Sequence, residues 1–100
     1  MKVKDLARVV RSKNAGPRRL TLDVMFENAE DYRTAVGSGA FTAERIAPLY
    51  GLPPSQVELV DYEVANAIKV VLHRKVTAGD PGDRDVYGAQ QHAPMLELEL

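Results

Sequence analysis

Apolar and polar residues alternate most strictly over Leu20-Thr21-Leu22-Asp23-Val24-Met25-Phe26, with Leu20, Leu22, Val24 and Phe26 on one side and Thr21, Asp23 and Met25 on the other. A two-residue period is that of a half-buried strand. Val57–Glu63 and Ala67–Lys75 read the same way, and the short connection between them predicts an antiparallel hairpin with Ile68, Val70 and Leu72 turned to the core. Met95–Leu100 alternates again, which predicts a closing strand with Leu96, Leu98 and Leu100 buried. Its outward Glu97 and Glu99 suit a sheet edge, where charge discourages unwanted pairing.

Between the first strand and the hairpin the period changes. Asn28 is a cap for a helix through about Val36, with Glu30 and Asp31 in the first turn, an apolar stripe of Tyr32, Ala35 and Val36, and Gly37 and Gly39 as stops. A second helix starts at Thr42, with Phe41 placed to pack on Ile46 as a hydrophobic staple, and Gly51 ends it before Pro53-Pro54. Pro48 is expected to distort its last turn. At the N-terminus, Asp5 can cap a short helix with Leu6, Val9 and Val10 on one face. Arg11–Arg19 then reads as a loop, because Asn14 and Gly16 tolerate left-handed backbone and Pro17 blocks helix continuation. Together these elements predict one α+β domain over residues 1–100: a two-layer, ferredoxin-like sandwich with altered elements, a mainly antiparallel sheet and helices on one face.

Composition narrows the function classes. A chain of 100 residues with 45% hydrophobic and 27% charged residues and a net charge of −1 has the make-up of an ordinary globular domain. It is not poised for bulk polyanion binding, and its basic loop has no interleaved aromatics for stacking, so nucleic acid is not an expected partner. There is no cysteine, which removes disulfide scaffolds and thiolate metal sites. No run approaches the ~20 apolar residues of a membrane span, and no apolar segment follows the N-terminus. The expectation is a cytoplasmic protein with no membrane partner and no cofactor.

Two polar stretches carry the candidate chemistry. Arg11, Ser12, Lys13, Asn14 and Gly16, with Arg18 and Arg19 beyond, combine positive side chains with a permissive backbone whose N–H groups could form a nest for phosphate or carboxylate. The Gly-x-x-x-x-Gly-Lys-Ser/Thr pattern of a phosphate-binding loop is missing, and adjacent Ser12 and Lys13 lack the Ser-x-x-Lys spacing of acyl-serine enzymes. The second stretch opens on Asp80-Pro81-Gly82-Asp83, which fits a type II turn, and continues through Asp85, Tyr87, Gln90, Gln91 and His92 without a helical or strand period. It reads as an interface or functional loop rather than a solvated linker, because an amphipathic ending follows it. His92, with Tyr87 nearby, is the candidate general acid/base; His73 is expected on the outer side of a strand. Asp80, Asp83 and Asp85 invite a calcium reading, but Gln91 stands where an EF-hand loop counted from Asp80 needs Glu, and Asp85 where it needs Gly. Solvated turn carboxylates are the better reading, and no metal site is expected.

Asp5-Leu6-Ala7-Arg8-Val9-Val10-Arg11-Ser12-Lys13-Asn14-Ala15-Gly16-Pro17, with Gly79-Asp80-Pro81-Gly82-Asp83 and Asp85-Val86-Tyr87-Gly88-Ala89-Gln90-Gln91-His92-Ala93-Pro94, resembles the small bacterial family called domain of unknown function 4387. The order of elements is also similar to the small ferredoxin-fold domain attached to, or encoded beside, acyclic terpene utilisation (AtuA) proteins, in which Arg-Ser-Gly-Asp-Lys-Gly stands where this chain has Arg11 to Gly16. Here Lys13-Asn14-Ala15 replaces Gly-Asp-Lys. The resemblance implies a small partner protein of a larger AtuA-like metabolic enzyme, and the expectation is a non-catalytic or co-catalytic subunit that contributes its two polar loops to an interface or shared active site. The loops themselves allow a homo-oligomer and a small anionic ligand as further partners. The competing class is a stand-alone small lyase or hydratase acting on an anionic acid or its thioester, with His92 as proton carrier and Arg11 and Lys13 holding the anion.

Overall fold

The computed structural model describes residues 1–16, 18–73 and 93–100. Four strands form one antiparallel sheet in the order β1-β2-β4-β3: β1 is Val9–Gly16, β2 Arg19–Met25, β3 Val57–Tyr62 and β4 Ala67–His73. Two hairpins, β1–β2 and β3–β4, are joined through the β2–β4 pair, which places the two most apolar strands at the centre. The register aligns Leu20 with Leu72, Leu22 with Val70 and Val24 with Ile68, so the alternation of each strand builds one continuous apolar face. All six side chains are buried.

Among the described residues, helices cover that face only. In α2 (Ala29–Gly37) the Asn28 side chain accepts from the Asp31 N–H at 2.8 Å, and Tyr32 and Ala35 are buried while Val36 is 41% exposed, so the apolar stripe is narrower than expected. In α3 (Ala43–Ile46) the Thr42 hydroxyl accepts from the Arg45 N–H at 3.2 Å. The chain tightens there into a 3₁₀ turn over Ala47–Tyr50 that contains Pro48, and Gly51 closes it at φ 65°, a left-handed conformation that glycine adopts without steric penalty. Phe26 joins the layers, meeting Tyr32 and Phe41 edge-to-face at 6.3 and 6.4 Å between ring centroids. Sheet, α2, α3 and both terminal segments contribute to one core cluster. The result is the expected two-layer α+β sandwich with an antiparallel sheet.

Three local expectations are corrected. The N-terminal helix, α1, is a single turn over Val3–Leu6 that contains Asp5 rather than starting from it, and the Asp5 carboxylate accepts from the Lys2 N–H at 2.8 Å. Val9 and Val10 open β1 instead, as β-branched residues favour. The expected Arg11–Arg19 loop is extended backbone paired to β2 from Val9 through Asn14, with an irregularity between Asn14 and Gly16. An edge strand needs apolar side chains only on its covered face, and here Val10 shares that face with Ser12 and Asn14.

The expected closing strand is replaced by a helical turn, α4 (Ala93–Leu96), followed by a single antiparallel bridge between Glu99 and Lys2. Pro94 pre-sets helical φ, and Met95 and Leu98, three residues apart, become the buried pair in place of an alternating Leu96, Leu98 and Leu100. The ending is tied to the beginning by Val3 N–H to the Leu98 carbonyl and Leu100 N–H to the Met1 carbonyl, both 2.9 Å. Lys2 and Lys4 reach the Glu97 carboxylate at 2.7 and 3.3 Å. Among the described residues, no helix is long and apolar enough to cross a membrane.

A candidate anion-binding cleft

Alternation on the sheet places a second set of side chains opposite the helices. Across the strands this outer face reads Val9, Met25, Ala67, Tyr62; then Arg11, Asp23, Lys69, Val60; then Lys13, Thr21, Val71, Glu58. The end row is apolar, with Val9 38% and Tyr62 46% exposed, and Val60 beside it 41% exposed. The next two rows are mostly charged. Lys69 lies 5.7 Å from the centre of the Tyr62 ring, a cation–π distance, and His73 Nε2 lies 3.6 Å from Glu58 Oε1. Thr21 is buried between Lys13 and Val71, and its hydroxyl donates to the Lys13 carbonyl at 3.4 Å.

A cleft of about 250 Å³ opens on this face, lined among the described residues by Arg11, Ser12, Lys13 and Asp23. Arg11 and Lys13 are two apart on β1 and therefore project to the same side. Asp23 stands directly across from Arg11 on β2. Arg11 Nε to Asp23 Oδ2 is 3.8 Å, too long for a hydrogen bond, so the guanidinium is attracted to the carboxylate without being consumed by it. The Lys13 side chain has no ion pair among the described residues. Among the described residues, two cations around one carboxylate leave the cleft with a surplus positive charge, suited to a small anion.

Of the five residues singled out for anion binding, Arg11, Ser12 and Lys13 line the cleft, while Asn14 and Gly16 continue β1 past it. The backbone nest expected there is replaced by a strand ladder, so an anion at this cleft would be held by side chains. Ser12 and Lys13, neighbours on extended backbone, point to opposite sides and form no nucleophile–base pair. Asp23 was visible only as a polar position of a strand; its place in the cleft depends on the pairing of β1 with β2. The expected catalytic pair His92 and Tyr87, and the loop residues Asp80, Gly82, Asp83, Asp85, Gln90 and Gln91, lie outside the described residues. Among the described residues, no group of three His, Asp or Glu side chains is arranged to hold a metal ion.

A family model described as domain of unknown function (DUF4387) matches residues 3–99, nearly the whole sandwich and all of the cleft. The chain belongs to the DUF4387 family. Neither the curated proteins nor the solved structures include a match. The DUF4387 assignment carries no reaction.

Proposed function

We propose that this DUF4387 chain is a small non-catalytic or co-catalytic subunit of a larger cytoplasmic metabolic enzyme of the acyclic terpene utilisation type, and that the outer sheet face is what it contributes. The observation that carries this reading is the unequal treatment of the two faces of one sheet. Among the described residues, helices cover one face, whereas the other presents Val9, Val60 and Tyr62 beside a basic cleft, with Val64 exposed at the tip of the β3–β4 hairpin. Half-exposed apolar side chains at both edges of a sheet, flanking a charged cleft, are what a protein keeps when a second surface completes them. Docking there would bring Arg11 and Lys13 to the edge of a site shared with the larger subunit.

The test is co-expression with the AtuA-type enzyme of the same genome. The expected result is a complex by size exclusion with light scattering, lost in the double variant Val60→Lys, Tyr62→Ser while circular dichroism of the isolated chain is unchanged. A complex that forms equally well with the double variant would sink the assignment of this face, and no complex with the unaltered chain would sink the subunit reading.

A further inference from the structure

The cleft is more selective than a basic patch because a carboxylate stands inside it. A plain anion drawn in by Arg11 and Lys13 meets Asp23 directly across from Arg11 on the neighbouring strand, where side chains approach within about 5 Å. Like charges at that range repel; Arg11 and Lys69, on either side of Asp23, offset part of that repulsion, and a hydrogen-bond donor on the ligand turns what is left into an attraction. An ammonium would serve Asp23 but would meet Arg11, Lys13 and, on the far side of Asp23, Lys69. A hydroxyl gives Asp23 its donor without adding positive charge.

Size sets the second limit. At about 250 Å³ the cleft falls below the roughly 300–1,000 Å³ of pockets that hold drug-sized ligands, which suits a small acid better than a nucleotide. Spacing sets the third: Arg11 and Lys13 are separated by about 7 Å along β1, and Asp23 by about 5 Å across the ladder. A carboxylate held between the two cations therefore lies within reach of Asp23, and a hydroxyl one or two carbons from the acid can meet it. From this geometry we infer that the cleft binds a small hydroxycarboxylate, with Arg11 and Lys13 holding the acid and Asp23 accepting from the hydroxyl. The inference rests on the reading of the outer face as the functional one, and it names the ligand class for that face.

The isolated chain is titrated by calorimetry with three probes: lactate, propionate and inorganic phosphate. Lactate should bind saturably and about tenfold or more tighter than propionate, the effect of one hydrogen bond to a charged acceptor. Asp23→Asn should erase most of that preference while leaving propionate binding equal or tighter, since the repulsion goes with the charge. Arg11→Ala with Lys13→Ala should weaken both acids, with circular dichroism checking that each variant is folded. Equal affinity of the unaltered chain for lactate and propionate overturns the inference, as does a preference that survives Asp23→Asn, or phosphate binding that exceeds lactate and ignores Asp23. Complex formation with the larger enzyme is read separately: acid binding without a complex retires the subunit reading alone, and a complex without acid binding retires the ligand alone.

Discussion

Leu22 tests the architecture most directly, because it is fully buried on β2, the strand that joins the two hairpins, and lies opposite Val70 of β4. In Leu22→Ala the lost side-chain carbons contribute about 2.4 kcal/mol of transfer free energy at about 0.8 kcal/mol per methylene. A centre strand held by ladders on both sides cannot move far into the space, so a residual cavity of about 60 Å³ adds about 1.4 kcal/mol. The expected loss is about 4 kcal/mol, a large part of the ~5–15 kcal/mol that stabilises a domain of this size. It corresponds to a fall in Tm of about 15–30 °C. Urea unfolding followed by circular dichroism reads the loss as a shift in midpoint at unchanged slope. Val60→Ala is the control, since Val60 is 41% exposed on β3 and should change stability by no more than about 0.5 kcal/mol. A Leu22→Ala loss below about 1 kcal/mol, or one equal to the control, would refute the placement of β2 at the centre of the core.

Two further perturbations address the tied termini. Leu98→Ala should cost about 2–4 kcal/mol by urea unfolding, because Leu98 is 3% exposed and its carbonyl receives the Val3 N–H; a loss within error would remove the C-terminal segment from the core. The Glu97 carboxyl is held below its ordinary value by hydrogen bonds from Lys2 and Lys4 and by their charge. A carboxyl lowered in the folded state stabilises above its unfolded pKa and loses that contribution as pH falls through the folded one. Glu97→Gln should therefore be the less stable protein near neutral pH and converge with the parent in acid, as pH falls below the ordinary carboxylate range, with a gap that narrows in high salt because the groups are exposed. Thermal midpoints that differ by the same amount at neutral and acid pH would discard the clasp.

What the sequence disclosed tracks how much of each element depends on local chemistry. β2, β4, α2 and α3 were legible because their signals are local: strict alternation in Leu20–Phe26, and side-chain caps at Asn28 and Thr42 that do bond their N3 amides. Where a neighbour decides the outcome the reading failed. The alternation of Leu96, Leu98 and Leu100 favoured a strand, but Pro94 begins a helical turn and the core takes Met95.

β1 failed for a different reason, and the same reason hid half of the cleft. Its sequence runs Val9, Arg11, Lys13 on one face and Val10, Ser12, Asn14 on the other, a two-residue period in charge rather than in hydrophobicity. A period of charge is weak evidence for a strand by itself, since a loop also tolerates charge at any position. Pairing with β2 turns it into geometry, because only extended backbone puts Arg11 and Lys13 on the same side, and only this register sets Asp23 across from Arg11. The cleft is thus a property of the ladder and not of either strand. A one-residue slip would send Asp23 out of register with Arg11 and turn every core side chain of β1 to the outer face, so the packing of Val10 against the core also holds the charges of the cleft in place.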